Sequence, residues 1–167
     1  MKILALCGSL RSNSANAYLL KAAQKILSQA TFINFDISQL PYFDPDNQYS
    51  ENVPAKVLEF RALAASSDKI LISTPEYAHG MPGILKNALE WMFHEGTQKK
   101  QAYVIIGSAQ GENTLDQLVE VLKTMDFTID LSQTLLIKGA RAKVNSSGDF
   151  SDAKAEAEFK KFCAQLN

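Results

Sequence analysis

The sequence of 167 residues predicts an α/β fold in which five parallel strands carry helices on both faces of one sheet. Short apolar runs alternate with amphipathic segments along the chain, as expected for repeated strand–helix units. The first run, Ile3 to Cys7, is apolar without interruption, which is typical of a strand buried on both faces. Hydrophobic residues make up 46% of the chain, enough for one sizeable core, and this composition excludes a disordered or collagen-like protein.

Five strand–helix units follow one another in order. The predicted strands are residues 3–7, 31–35, 69–73, 103–106 and 135–137. The predicted helices, with apolar residues at helical spacing, are residues 17–27, 53–65, 82–94, 113–125 and 152–166. Pro82 stands near the first turn of the third helix, where its missing N–H is tolerated. Together these units predict a single flavodoxin-like domain over residues 1–167, a three-layer sandwich with strand order 2-1-3-4-5.

Charge and cysteine content limit the classes of function. Seventeen Lys and Arg residues against eighteen Asp and Glu residues give a net charge of −1, so nothing favours binding to nucleic acid or to an anionic membrane. Cys7 and Cys163 have no metal-ligand spacing, and neither a disulfide scaffold nor a zinc site is expected. The first apolar run is too short for a signal peptide, and no later one approaches the roughly 18 residues of a membrane helix. We therefore expect a cytoplasmic protein.

A polar loop follows the first strand and leads into the first helix. Ligands of doubly wound sheets bind outside the carboxyl ends of the strands, where a helix N-terminus offers free N–H groups to an anion. Arg11 adds a permanent charge that suits phosphate oxygens, and further donors come from Ser9, Ser12, Asn13, Ser14 and Asn16. The loop has neither a GxxxxGK[ST] nor a GxGxxG motif. We expect it to hold a terminal phosphate; the alternative is that its serines and asparagines only cap the helix.

Two more loops stand at the same predicted edge of the sheet. The segment 73–83 is rich in Pro and Gly, and its turning backbone together with the Tyr77 ring suits a planar polar heterocycle. Glu76 and His79 are the residue types of an acid–base pair, but no nucleophile accompanies them, and we expect them to organise the loop or contact the ligand. Ser108 follows the fourth strand and would contact the same ligand, unless its turn is an ordinary connection.

The segment 36–52 is too long for a simple connection, and loops of this length are usually functional or mobile. Its run Leu40-Pro41-Tyr42-Phe43 is too apolar to lie wholly in water. Two interpretations stay open at this point. The run packs at the rim of a site or a subunit contact, or it folds onto its own domain.

The third predicted helix carries an unusually wide apolar surface. Its apolar residues cover an arc of about 200°, against the ~100° that one core stripe needs: Ile84, Leu85, Ala88, Leu89, Trp91, Met92 and Phe93. The surplus predicts self-association through Pro82 to His94, as a symmetric homodimer or as a tetramer. The alternative is deeper burial within one subunit.

Three of these segments together resemble the NADPH-dependent FMN reductase family, flavodoxin-like proteins that include quinone, azo-dye and chromate reductases. The motif GSLRxxSxN of residues 8–16 is similar to the phosphate loop of that family. TPEYAHG at 74–80 and PGxLKNALEW at 82–91 resemble its flavin-ring loop and the following helix. LPxFDPD at 40–46 resembles its long loop after strand two. The similarity spans nearly the whole chain in the same order.

The resemblance implies one FMN site. It implies that Ser9, Arg11, Ser14 and Asn16 hold the FMN phosphate, with Ala15 beside them, and that the isoalloxazine ring is lined by Pro75, Glu76, Tyr77, Ala78, His79 and Ser108. Ala78 stands where the family often has Asn, and residues 107–112 are less rich in glycine than the family's usual turn.

The resemblance also implies a two-step reductase. NADPH or NADH gives a hydride to the flavin and leaves, and a quinone, azo compound, free flavin or metal ion then takes the electrons. No catalytic acid, base or nucleophile is assigned, because the flavin performs the chemistry. Two alternatives stay open. An electron carrier without nicotinamide turnover fits poorly with the near-neutral charge. A flavin-free interaction protein is the second.

Overall fold

A computed structural model describes residues 1–167. Its strands are β1 (Lys2–Cys7), β2 (Thr31–Phe35), β3 (Lys69–Thr74), β4 (Gln101–Ser108) and β5 (Thr134–Lys138). They form one sheet in the order β2-β1-β3-β4-β5, and every neighbouring pair is parallel. The predicted fold class and strand order are therefore confirmed.

The helices cover both faces of the sheet. They are α1 (Ala15–Ile26), α2 (Ala55–Ser66), α3 (Gly83–Met92), α4 (Glu112–Thr124), α5 (Ala140–Lys143) and α6 (Ala153–Ala164). Ile70 and Ile72 of β3 belong to the apolar cluster under α2, α3 and α4, whereas Leu71 belongs to the cluster under α1 and α6. Central strands read as unbroken apolar runs because both of their faces are buried. None of these helices combines the length and the apolar character that crossing a membrane requires.

Helix boundaries differ from the prediction where local groups decide them. Helix α1 begins two residues earlier than expected, because the Oγ of Ser14 accepts a hydrogen bond from the backbone N–H of Ala17 (3.4 Å). Helix α3 ends at Met92, and the Nδ1 of His94 accepts from the N–H of Gly96 (3.2 Å) to begin a separate short turn. The four-residue helix α5 was not predicted, because it is too short to show a periodic pattern.

The long connection after β2 folds onto its own domain. The carbonyl of Pro41 accepts hydrogen bonds from Trp91 Nε1 (2.9 Å) and Asn87 Nδ2 (3.0 Å), and the N–H of Phe43 donates to Asn87 Oδ1 (2.7 Å). The ring of Phe43 lies edge-on to the indole, with 5.0 Å between ring centroids. Only Tyr42 of this run points fully outward, with 94% of its surface exposed. The segment therefore packs on its own domain, as the second of the two interpretations expects.

These contacts also account for most of the wide apolar arc of α3. Trp91 is 1% exposed, because the connection packs on its indole and Arg61 of α2 lies over its ring. Arg61 of α2 joins α3 to the connection after β2. Its Nε donates to the carbonyl of Trp91 (2.8 Å) and its Nη1 to the carbonyl of Gln48 (2.9 Å). Ile84 stays half-buried and Phe93, which follows the last residue of α3, is 36% exposed, so these two side chains of the predicted arc are left partly uncovered at separate places.

Candidate functional site

The carboxyl ends of four strands meet at one edge of the sheet. A cavity of about 350 Å³ opens at this edge. Nine of the eleven residues predicted to bind the cofactor line it: Ser9, Arg11, Ser14, Ala15, Asn16, Pro75, Glu76, Tyr77 and Ser108. The other two, Ala78 and His79, lie outside the lining. Three loops far apart in the sequence therefore form one site.

The N-terminus of α1 points its free donors at the cavity. Ser14 is the N-cap, and its hydroxyl satisfies the N–H of Ala17. The N–H groups of Ala15 and Asn16 have no acceptor within the protein, as is general in the first turn of a helix. Both residues line the cavity, so a ligand there can accept from these donors. The arrangement fits a bound anion at this helix end.

The side chain of Asn16 has a positioning role. Its Oδ1 accepts from the N–H of Gly107 (3.1 Å) and from the hydroxyl of Ser73 (3.0 Å), and its Nδ2 donates to the carbonyl of Gly107 (2.9 Å). These bonds join the start of α1 to β3 and β4. The Oδ1 is therefore fully used within the protein, whereas the backbone N–H and the second N–H of Nδ2 have no partner and remain for a ligand.

The loop after β3 forms a tight turn. Tyr77 and Gly80 exchange two backbone hydrogen bonds (2.9 and 3.1 Å), and the two residues between them, Ala78 and His79, both have positive φ angles of 51° and 59°. This is the left-handed geometry of a two-residue hairpin turn, which Asn and Gly adopt most easily. The sharply turning backbone predicted for this loop is confirmed. The turn directs the Tyr77 ring toward the cavity and carries Ala78 and His79 away from it.

Contacts with α4 hold this turn in place. Glu76 is 7% exposed at its side chain, and its Oε2 accepts from the N–H of Thr114 (3.0 Å) in the first turn of α4, a helix whose own N-cap is a glycine. The N–H of Glu76 donates to Ser108 Oγ (3.3 Å). His79 Nδ1 lies 3.2 Å from Asn113 Nδ2 and 3.8 Å from Glu76 Oε1. Glu76 thus organises the loop by capping a neighbouring helix.

The thiol of Cys7 contacts the loop between β1 and α1 at Ser9 and Ser14. Burial raises the pKa of Cys7, and this outweighs the opposite effect of its hydrogen bonds with Ser9 and Ser14. The protonated thiol donates to the carbonyl of Ser9 (3.5 Å). Cys7 therefore acts as a small bracing group and not as a nucleophile.

Tyr77 separates the first cavity from a second one. Its hydroxyl lies 3.4 Å from Ser9 Oγ, and its ring borders an adjoining cavity of about 480 Å³. Apolar side chains dominate the lining of the second cavity, with Leu10, Met81 and Ile84 among them. The site therefore has a polar half near α1 and an apolar half near the start of α3.

A fourth loop, after β5, also lines the first cavity and was not predicted from the sequence. It contributes Gly139 to Ala142, and Arg141 is the charged residue among them. The signal that could have found it is positional. The predicted strand 135–137 ends at the same sheet edge as the other parallel strands, so residues just after it belong at the site.

Known proteins are similar to this chain over nearly its full length. The sequence profile of the family described as NADPH-dependent FMN reductase matches residues 1–141. The 2-hydroxy-1,4-benzoquinone reductase of a Burkholderia species is 40% identical over 157 residues, which cover 89% of this chain and 85% of that protein. An NAD(P)H-dependent FMN reductase of Pseudomonas aeruginosa is 31% identical over 163 residues, which cover 93% of this chain and 87% of that protein.

Solved structures show the same fold. The flavoenzyme FerB of Paracoccus denitrificans, an NAD(P)H:(acceptor) oxidoreductase, superposes with a TM-score of 0.82 at 24% identity, covering 99% of this chain and 94% of that chain. At this level of identity the likeness concerns the fold alone.

Proposed function

We propose that this protein, which belongs to the NADPH-dependent FMN reductase family, uses FMN to pass electrons from NADPH or NADH to a small-molecule acceptor in two successive steps at one site. The observation that carries the proposal is the polar cavity at the carboxyl edge of the sheet, which joins the helix N-terminus, the Tyr77 ring and Ser108.

The residues present fit FMN. The unpaired N–H groups of Ala15 and Asn16, the hydroxyls of Ser9 and Ser14 and the guanidinium of Arg11 suit a phosphate group. Pro75, Tyr77 and Ser108 would line the isoalloxazine ring beyond it. When bound, FMN supplies the two-electron chemistry that amino-acid side chains lack.

The protein's own contribution is positioning. Glu76 is engaged with Thr114 and His79 points toward Asn113, so neither is placed as a general acid or base. Asn16 and Glu76 each join two elements of the fold at the wall of the cavity, and two backbone hydrogen bonds close the turn between Tyr77 and Gly80. A preorganised site of this kind holds a cofactor and leaves one side open for substrates.

We propose a quinone as the acceptor, with an azo compound, free flavin or a metal ion as the alternatives. Leu10, Met81 and Ile84 give the second cavity an apolar lining next to Tyr77, which suits a planar, weakly polar molecule. The names of the quinone-reducing relatives support the same choice. Steady-state rates with a benzoquinone, an azo dye, free FMN and a ferric or chromate salt, each at matched concentration, separate the four acceptors.

The first test of the function is the visible spectrum of protein that has been reconstituted with FMN and desalted. Retained flavin bands that bleach on anaerobic addition of NADPH or NADH are the expected result. Parallel runs with the two nucleotides give the donor preference. Retained bands that do not bleach contradict the reductase proposal and favour an electron carrier. Protein without retained flavin contradicts the FMN site and favours the flavin-free interaction protein.

We also propose self-association through Pro82 to His94, as a homodimer or a tetramer. The exposed ring of Phe93 at the end of α3 supports it: Phe93 is 36% exposed beside a cavity of about 350 Å³ between α3 and α4. Light scattering at micromolar concentration should give a mass of at least two chains, and Phe93→Ser should reduce it. Leu58→Ser, at an exposed leucine of α2, is the matched control. A monomeric parent protein contradicts the proposal.

A further inference from the structure

We propose that Arg141, in the short helix α5 after β5, binds the phosphate group of FMN together with Arg11. The inference rests on the proposed FMN function and assigns a residue that no motif in the sequence marks. On this proposal two arginines, Arg11 and Arg141, bind the same phosphate group although they lie more than a hundred residues apart in the chain.

The backbone after β5 turns Arg141 back over the sheet edge. Ser108 pairs with Lys138 in the β4–β5 register, and the N–H of Gly139 donates to the carbonyl of Ser108 (2.7 Å). Gly139 then has φ +66° and ψ 29°, a left-handed conformation that favours glycine. This bend brings Gly139 to Ala142 into the wall of the cavity, facing the start of α1.

The charges around the cavity are unbalanced. Arg11 and Arg141 both line it, both are exposed, and neither guanidinium forms an ion pair. The only carboxylate in the lining is Glu76, which is occupied with the N–H of Thr114. Lys138 is already paired with Glu112, on the outside of the site. Two free cations at one cavity repel each other, and an anion between them relieves that repulsion.

A phosphate monoester matches this pair in charge and shape. It carries about −1.5 to −2 charges at pH 7 and accepts several hydrogen bonds. Arginine binds such an anion through two parallel N–H donors. Arg141 lines the same cavity as the free N–H groups of Ala15 and Asn16, so its ligand is the phosphate that these donors hold, which is that of FMN. The 2′-phosphate of NADPH carries the same chemical group and is the other possible source.

The test compares the dissociation constants of FMN and riboflavin, measured by flavin fluorescence, in the parent protein and in variants. Riboflavin has the same ring without the phosphate. We expect Arg141→Met to weaken FMN binding about 10- to 100-fold, the effect of losing charge-assisted hydrogen bonds, with riboflavin binding changed less than about twofold. Arg141→Lys should restore part of the affinity, and Arg141→Glu should lower it further. Lys143→Met removes a cation from the same loop that does not line the cavity, and FMN affinity should stay within about twofold.

Each other outcome overturns the inference in a distinct way. Unchanged FMN affinity in Arg141→Met removes Arg141 from the phosphate site. An equal loss for FMN and riboflavin means that Arg141 supports the loop and does not contact phosphate. A raised KM for NADPH alone, with unchanged FMN affinity and unchanged KM for NADH, assigns Arg141 to the 2′-phosphate. If the parent protein binds neither FMN nor riboflavin, the proposed function itself is wrong. This outcome is recognised without any variant.

Discussion

Asn16 and Gly107 exchange two hydrogen bonds across 91 residues of sequence: Asn16 Nδ2 donates to the Gly107 carbonyl (2.9 Å), and the Gly107 N–H donates to Asn16 Oδ1 (3.1 Å). One amide side chain thereby provides partners for both backbone groups of Gly107 in β4 and fixes the start of α1, where the N–H groups of Ala15 and Asn16 are unpaired. The structure of the loop between β1 and α1 thus depends on a strand far from it in the sequence.

Asn16→Ala should destabilise the protein by about 2 to 4 kcal/mol, because it leaves buried groups of Gly107 and Ser73 without partners. Urea unfolding monitored by circular dichroism measures this. Asn13→Ala, at an exposed position of the same loop, is the control and should cost about 0.5 kcal/mol or less. Equal effects of the two substitutions contradict the bracing role of Asn16.

Asn16→Asp tests whether the side chain at position 16 must donate a hydrogen bond as well as accept two. The aspartate can accept but not donate when ionised, so one carboxylate oxygen would face the Gly107 carbonyl, and this repulsion together with burial should raise its pKa against the opposite effect of the bonds from Gly107 and Ser73. Since the protonated form is favoured in the folded state, the variant should lie closest to the parent in stability at acidic pH and lose stability as pH rises through the raised pKa. The unfolding free energy measured at several pH values checks this sign.

Gly107→Ala should cost about 1 to 3 kcal/mol for lack of space. A Cβ at Gly107 would lie 2.7 Å from Asn16 Oδ1 and 2.9 Å from Leu19 Cδ1. Gly83→Ala is the matched control, since no atom lies within 4 Å of its Cβ position, and it should be neutral or stabilising by up to about 1 kcal/mol. Thermal unfolding of both variants shows whether glycine is needed at position 107 because a Cβ does not fit or because the backbone needs the flexibility of glycine. An equal loss of stability in Gly107→Ala and Gly83→Ala would contradict a steric clash at Gly107 as the cause.

Glu76→Ala should lower stability by about 1 kcal/mol through loss of the cap on Thr114, and Glu76→Gln, which keeps an acceptor oxygen, should lower it less. Removing a general acid or base costs a factor of about 100 or more in rate. We expect Glu76→Gln to lose less than about tenfold in kcat, measured with the acceptor that the parent protein prefers. A Glu76→Gln variant of parental stability with a hundredfold loss in kcat restores the acid–base interpretation of Glu76 and His79.

Ala78→Asn should stabilise the protein by about 0.5 to 1 kcal/mol, because Asn tolerates the left-handed backbone better than Ala. The same substitution at Ala62, an exposed position inside α2, should have the opposite sign and cost about 0.5 kcal/mol. Thermal unfolding of the two variants is the measurement. A loss of stability at both positions would show that backbone strain at Ala78 contributes nothing.

The order and type of the main elements were determined by the sequence alone. The unbroken apolar runs, such as Ile3 to Cys7, specify strands buried on both faces, and local spacing specifies the helices between them. Ser14 and the turn residues after β3 also act locally. For this reason three of the loops that form the cavity, and nine of the residues that line it, could be predicted from the amino-acid sequence.

The tertiary structure decided what each of those side chains does. Glu76 caps a helix that begins 36 residues later, Asn16 is bound to Gly107, and Trp91 is covered by a loop that precedes it by about 50 residues. Arg141, which forms no ion pair, lines the cavity because the backbone bends at Gly139. Propensity and periodicity describe neighbours along the chain, whereas these roles depend on which groups meet in space. A polar residue's function is set by the partner it finds, and that partner is chosen by the packing of the sheet and helices.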